Sequence, residues 1–325
     1  MTFEIPKETN AGKVVEVTIG ATPEKGGTRS HTMTIGGSTA LPFHFFEGEH
    51  PHRPVVAMEV FDKAPAKHLD SLMEYFSDVI DKPAEMAKRC VDEYGAELIS
   101  VRLAGTHPKK GNLSAEEAAE TVQTVLKSVK VPLIITGHSH FEKINEVMKK
   151  VCEVTAGENC LINYAETDNY KTIAAACLAY GHTLAAQSPI DVNLAKQLNI
   201  LLTDMNFPPE KIVMDPLTST LGYGLEYTYS IMERIRNDGL AGDKMLAFPM
   251  LINPGYESFR IKETWASEKD YPEWGSLESR AAYWETATAM SLLLTGAELL
   301  IVYHPQAAEV IKKTIAEMYA SKEKD

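Results

Sequence analysis

Eight short, β-branched apolar runs punctuate the chain, and each leads into a longer stretch of helical periodicity. They span residues 55–61, 98–104, 132–137, 161–166, 183–188, 212–217, 245–251 and 299–304, with polar residues gathered where each run stops. Runs that stay apolar instead of alternating belong to strands covered on both faces. Eight such strands alternating with helices predict an α/β fold, the closed parallel TIM (β/α)8 barrel. In that architecture the working residues lie at the C-terminal ends of the strands, so the functional search narrows to a few loops.

Ahead of the first run, Val15, Val17 and Ile19 alternate with polar residues, as do Met33 and Ile35, with Pro23, Gly26 and Gly27 between them. That pattern predicts an N-terminal β-hairpin, placed to close the N-terminal end of the barrel. The loop over residues 38–54 carries His44, His50 and His52 beside Phe43, Phe45 and Phe46. We read it as a solvated loop with an aromatic anchor in preference to a metal site. Ser114, followed by Glu116 and Glu117, opens a helix running to Val129, and Pro83 starts one that reaches Tyr94 before Gly95. Gly181 ends an alanine-rich helix from Asn169. A helix over 276–296, expected to be the longest, and a last one over 307–319 complete the pattern, and the tail 321–325 is expected to fray.

Two insertions stand out. Residues 62–81 hold an amphipathic set of Leu69, Leu72, Met73 and Phe76, and residues 253–275 hold Tyr256, Phe259, Trp265, Tyr271 and Trp274. Five aromatics argue against disorder and leave two readings: a lid or protein interface, or a loop folded back on its own barrel. No linker or shift in composition divides the chain. The expectation is one domain over 1–325, with hairpin and loop in 1–54 and the barrel in 55–320.

At 325 residues and 44% hydrophobic, the chain can bury the core of one large barrel. A formal net charge of −13 opposes nucleic acid or an anionic membrane surface as partner. No apolar stretch reaches the ~20 residues needed to span a bilayer. The nearest, 287–303, is interrupted by Thr288, Ser291, Thr295, Gly296 and Glu298. The first residues lack the basic and apolar regions of a signal peptide, which predicts a cytoplasmic protein. Cys90, Cys152, Cys160 and Cys177 form no C-x-x-C pair and no zinc or iron–sulfur spacing, so they are expected as buried small hydrophobes.

The strand ends supply Glu59, Asp62, Arg102, Thr106, His107, His138, His140, Asn163, Glu166, Gln187, Ser188, Asp215, Asn253 and His304. This predicted rim is polar, leans neutral and is rich in amides, which both donate and accept hydrogen bonds but are poor acids, bases and nucleophiles. His138 and His140 suggest a metal only weakly, because no carboxylate pattern completes a coordination sphere. They are expected as a rim donor and a helix-start residue. No strand end places a lysine for Schiff-base chemistry, and no G-x-S-x-G elbow or Walker-type loop occurs. Gly222 and Gly224 let the backbone pass close to a ligand or neighbour. Glu59 and Asp215 stay open as a carboxylate pair.

Five segments carry a resemblance: residues 55–62, 98–108, 134–138, 214–224 and 226–230, the 214–230 region being the most specific. With these, essentially the whole chain resembles the small subunit of the corrinoid iron–sulfur protein, the delta subunit of acetyl-CoA decarbonylase/synthase. The resemblance implies a TIM barrel distantly similar to pterin-dependent methyltransferases. It implies a heterodimer whose large subunit carries the four-iron cluster and the corrinoid-binding domain. It further implies a methyl group carried from a methyltetrahydrofolate-dependent methyltransferase to acetyl-CoA synthase in the reductive acetyl-CoA pathway. The chain lacks a D-x-H-x-x-G corrinoid motif and a cysteine set for a cluster. It is therefore expected to be non-catalytic by itself and to cover a corrinoid held by its partner. By strand-end position, the expected contacts are Arg102, Thr106, Gly137, His138, Asn163, Gln187, Asp215, Asn253 and His304. The alternatives are a stand-alone pterin-dependent methyltransferase, in which Asn163, Asp215 and Asn253 bind the ring, and a purely structural partner.

Overall fold

The computed structural model describes residues 5–64 and 70–321. A two-stranded antiparallel hairpin, β1 (Val17–Ile19) and β2 (Met33–Ile35), comes first, with Val17 opposite Ile35. Eight parallel strands then close a barrel: β3 (Val55–Phe61), β4 (Ile99–Arg102), β5 (Leu133–Thr136), β6 (Leu161–Ala165), β7 (Thr183–Gln187), β8 (Ile212–Asp215), β9 (Met250–Ile252) and β10 (Ala297–Val302). Strand neighbours follow chain order, and β10 closes against β3. The expected TIM barrel is therefore present, with its N-terminal hairpin.

The helices are α1 (Met73–Phe76), α2 (Pro83–Asp92), α3 (Ala115–Ser128), α4 (Phe141–Val154), α5 (Tyr170–Tyr180), α6 (Val192–Asp204), α7 (Leu225–Leu240), α8 (Pro254–Ser258), α9 (Leu277–Leu293) and α10 (Pro305–Ser321). Their ends obey local chemistry. Ser114 and Glu117 form a reciprocal capping box on α3, Asp191 caps α6 through the Asn193 and Leu194 amides, and Gly181 ends α5 at φ 81°.

Within the barrel the side-chain period of two sorts each strand into an outer and an inner column. Inner columns start apolar and end polar: Val55, Ala57, then Glu59; Leu98, then Ser100 and Arg102; Ile134, then Thr136; Leu161, then Asn163. Ala185 precedes Gln187, Val213 precedes Asp215, and Leu299 and Ile301 precede Tyr303. Val17, Ile19 and Ile35 of the hairpin join the apolar starts of these columns in one buried cluster. The hairpin thus stoppers the N-terminal end of the barrel. Arg29 fastens it: the side chain is 1% exposed, donates to Glu158 at 3.0 Å, and reaches the carbonyls of Val129, Val131 and Leu126.

Several expected boundaries shift. The seventh strand contracts from 245–251 to Met250–Ile252, because Leu246 and Phe248 are buried in the core outside any strand. The eighth begins at Ala297, before the predicted 299. The last helix starts at Pro305, a residue suited to the first helical turn, and runs through Ser321. At 17 residues it equals α9, so the 276–296 helix is not uniquely the longest. Leu69 and the tail expected to fray beyond 321 lie outside the described residues. In the 62–81 insertion, Leu72 and Phe76 are buried as expected while Met73 is 40% exposed.

The four cysteines are buried and unpaired. In the 38–54 loop, Phe43 and Phe45 pack edge-on against Tyr319 of α10, the expected aromatic anchor. Among the described residues no helix is long and apolar enough to cross a membrane.

Candidate functional site

The polar ends of the inner columns form the floor of a cavity of about 380 Å3 in the C-terminal mouth of the barrel. Arg102, Thr136, Asn163, Gln187 and Asp215 come from strand ends, Asn253 from the residue after β9, Tyr256 and Glu257 from α8, and Glu166 and Arg260 from the loops above. A depression of about 680 Å3 also lies outside the barrel, along α3, α4 and α5. It is shallow, and no buried polar atom there lacks a partner.

Beneath the floor, Glu59 is 1% exposed and ion-paired with Arg102 through Nε. Ser100 Oγ donates to Glu59 Oε2 at 2.7 Å and lies 3.0 Å from Thr136 Oγ1, which accepts from Asn163 Nδ2 at 3.4 Å. The Tyr256 ring covers the Arg102 guanidinium at 4.0 Å, a cation–π contact. The buried Glu59 charge survives because Arg102 pairs one of its oxygens and Ser100 donates to the other. One atom is left over: Asn163 Oδ1 is buried with no hydrogen-bond partner. Leaving such a group unpaired costs roughly 1–3 kcal/mol, so a donor from outside the chain, a water or a ligand, belongs beside it.

On the other side of the mouth, Gln187 Nε2 donates to Asp215 Oδ2 and the Leu217 amide to Asp215 Oδ1, each at 2.9 Å. Burial outweighs these donors and pushes Asp215 up to about 6. Burial also raises Glu166 and Glu257 above the usual carboxylate range. With Arg102, Lys110 and Arg260 also in the lining, Arg260 paired with Glu257 at 3.0 Å, the mouth carries charges of both signs, more than the expected amide-rich rim suggested. Glu59 and Asp215 do not form a carboxylate pair, because Arg102 holds the first and Gln187 the second.

Five expected residues converge on the cavity: Arg102, Asn163, Gln187, Asp215 and Asn253. Asn253 also caps α8, its Oδ1 accepting from the Tyr256 amide, which leaves its NH2 for the mouth. Gly137 and His138 reach the edge in other roles. A Cβ on Gly137 would sit 2.8 Å from Ile144 Cγ1 and 2.9 Å from Met148 Cε, so close packing of α4 explains the glycine. His138 accepts the His140 amide at Nδ1 and meets Thr106 Oγ1 at Nε2, so both ring nitrogens are engaged and it is not a rim donor. Burial lowers it to about 4, which keeps it neutral. Thr106 lies behind His138, fully buried. His140 caps α4, as expected of a helix-start residue.

His304 does not reach the mouth. Leu299 and Ile301 face inward, so alternation turns Tyr303 inward and His304 out against Tyr75, ring centroids 5.0 Å apart. Ser100, Thr136 and Tyr303 escaped the sequence reading, although the same alternation points to each. The 253–275 loop folds back on its own barrel: Phe259 packs on Tyr303 at 5.3 Å, and Tyr271 stacks on Trp274 at 4.1 Å, with Arg280 5.5 Å from the Trp274 ring. Among the described residues no cluster of three His, Cys, Asp or Glu is placed to hold a metal ion.

A family model described as the CO dehydrogenase/acetyl-CoA synthase delta subunit matches residues 16–312. The chain is 41% identical over 318 residues to the acetyl-CoA decarbonylase/synthase complex subunit delta of Archaeoglobus fulgidus, covering 96% of this chain and 70% of that one. It is 34% identical over 312 residues to the same subunit of Methanocaldococcus jannaschii, covering 96% and 75%. Among solved structures, it is similar to the dihydropteroate synthase of Xanthomonas albilineans in complex with 7,8-dihydropteroate. That likeness has a TM-score of 0.56 and 14% identity, covering 83% of this chain and 94% of that one. The Thermus thermophilus enzyme gives 0.53 and 13%, covering 86% and 98%. At such identities the likeness concerns the fold alone.

Proposed function

Because the chain belongs to the acetyl-CoA decarbonylase/synthase delta-subunit family, we propose that it is the small subunit of a corrinoid iron–sulfur protein. Its barrel mouth covers a corrinoid held by the large subunit, which also carries the four-iron cluster. The pair serves as a cytoplasmic methyl carrier in the reductive acetyl-CoA pathway, between a methyltetrahydrofolate-dependent methyltransferase and acetyl-CoA synthase.

The observation that carries this reading is the open, polar mouth with one buried carbonyl oxygen, Asn163 Oδ1, left for a ligand donor. The residues fit the group. A cavity of about 380 Å3 is far smaller than a corrin with its side arms, so it would take amide arms and not the ring. Asn163, Gln187 and Asn253 offer neutral hydrogen bonds to such arms, Arg102 offers N–H groups, and Tyr256 offers an aromatic edge. When bound, the corrinoid supplies a cobalt nucleophile that accepts and releases the methyl group. This chain positions the group and excludes water, and it contributes no acid or base of its own.

The test compares the large subunit, loaded with reduced corrinoid, with and without this chain under a fixed oxidant. The expected outcome is oxidation slowed ten-fold or more by the added chain, followed by the corrinoid absorbance. An unchanged rate overturns the cover. The second reading, a stand-alone pterin-dependent methyltransferase, draws on the meeting of Asn163, Asp215 and Asn253 in one mouth. Methyl transfer from methyltetrahydrofolate to free cobalamin by this chain alone would establish it.

A further inference from the structure

Hydrogen-bond polarity in the mouth is set from below. A carboxylate only accepts, so Ser100 must spend its one proton on Glu59 Oε2, at 2.7 Å. Ser100 Oγ must then accept from Thr136, 3.0 Å away, and Thr136, its proton spent, must accept from the Asn163 amide nitrogen. The relay ends at the Asn163 carbonyl oxygen, which is buried without a protein partner on a side chain that lines the cavity. At the other end of the relay, Glu59 takes Arg102 Nε, and the Arg102 terminal nitrogens are left along the same cavity wall. The same logic recurs across the mouth. Asp215 holds the Gln187 amide nitrogen at 2.9 Å and leaves the Gln187 carbonyl oxygen outward. Two buried carboxylates thus orient two amides so that both present acceptors.

From this arrangement we infer that the mouth is a socket for an amide unit, O=C–N–H. Its N–H is received by Asn163 Oδ1 and its carbonyl oxygen by Arg102, and a carboxylate in the same place is refused. A carboxylate has no proton for Asn163 Oδ1 and sets its charge against the Gln187 carbonyl and Asp215, whereas an amide satisfies both ends. Rejection by an unpaired buried polar group is the strong form of discrimination. The unit has two sources, a carboxamide arm of a corrinoid or the lactam edge of a pterin. The first source rests on the function proposed above.

The test uses the complex of this chain with its large subunit and, as probes, cobinamide and the isomers in which one peripheral carboxamide is hydrolysed to the acid. Affinities are read from corrinoid absorbance. The expected result is at least one isomer bound ten-fold or more weakly than the full amide, with that ratio falling to within two-fold in Asn163→Leu. Thr136→Val, which removes only the relay hydroxyl, should reduce the ratio without unpairing Glu59 and Arg102. Isomers all bound within two-fold of the amide, or a ratio indifferent to both variants, would overturn the socket while leaving the corrinoid cover standing. A parallel titration of the full chain with methyltetrahydrofolate separates the sources. If it binds, Asn163→Leu abolishes binding and the complex shows no corrinoid protection, the socket stands for a lactam and the cover falls.

Discussion

At Asp215, burial works against two donated hydrogen bonds and wins, so the carboxyl titrates up at about 6. An aspartate in the unfolded chain ionises near ~3.9. Between those values the unfolded state loses its proton first, so folding stability falls as pH rises through the window. Replacing Asp215 by Asn removes this slope. The variant is expected to gain on the wild type by roughly 2 kcal/mol between pH 4 and pH 7, read from urea midpoints at both. A difference between the two proteins that does not change with pH would refute it. Burial acts on Glu285 in the same direction, pushing it up to about 8 even though it accepts the Tyr303 and His304 amides. Neither carboxylic acid was assignable from sequence, since local pattern does not reveal which strand-end acids lose water and which find a cation. Glu59 and Asp215 look alike in the chain, but β4 brings Arg102 to one and β7 brings Gln187 to the other.

At the scale of elements, most of the barrel was legible because each strand is a short apolar run bounded by polar residues, and the hairpin because it alternates. The floor was legible only in part. Arg102, Asn163, Gln187, Asp215 and Asn253 were found by taking the ends of runs, whereas His304 was misplaced because a run's last residue need not share the inward column. Counting by twos from Ile301 selects Tyr303 instead. The seventh strand was overextended because buried apolar residues outside a strand, Leu246 and Phe248, read like strand residues. What no pattern indicates is the clasp between hairpin and barrel. Arg29 spans it with contacts to Glu158, Leu126, Val129 and Val131. Arg29→Ala leaves Glu158 buried without its cation and is expected to destabilise by roughly 3–5 kcal/mol. Chemical denaturation measures this, and a loss below about 1 kcal/mol would show that the clasp does little.

For the whole molecule, four large exposed side chains lie on the segment after β8, on α7 and on α9. Leu221, Tyr223, Tyr227 and Tyr283 are 36%, 52%, 64% and 71% exposed, while the Trp284 indole ties α9 to the Leu221 carbonyl at 3.0 Å. Trp265 and Trp274 are half-buried, and Trp274 is stacked on Tyr271, so shortening it would disturb the loop itself. Exposed tyrosines are the better probes of assembly, since aromatic anchors dominate interface energetics. The double change Tyr223→Ser with Tyr283→Ser is expected to weaken association with the large subunit ten-fold or more, with thermal stability of the chain alone unaltered. Equal affinity by calorimetry would move the interface elsewhere.

The stopper at the base has a consequence for traffic. With Val17, Ile19 and Ile35 filling the far end, the barrel is, among the described residues, a well closed at its base. Water, oxygen and reductant that enter by the mouth share that doorway with whatever lies across it. The lifetime of a reactive species there is governed by how often that doorway opens.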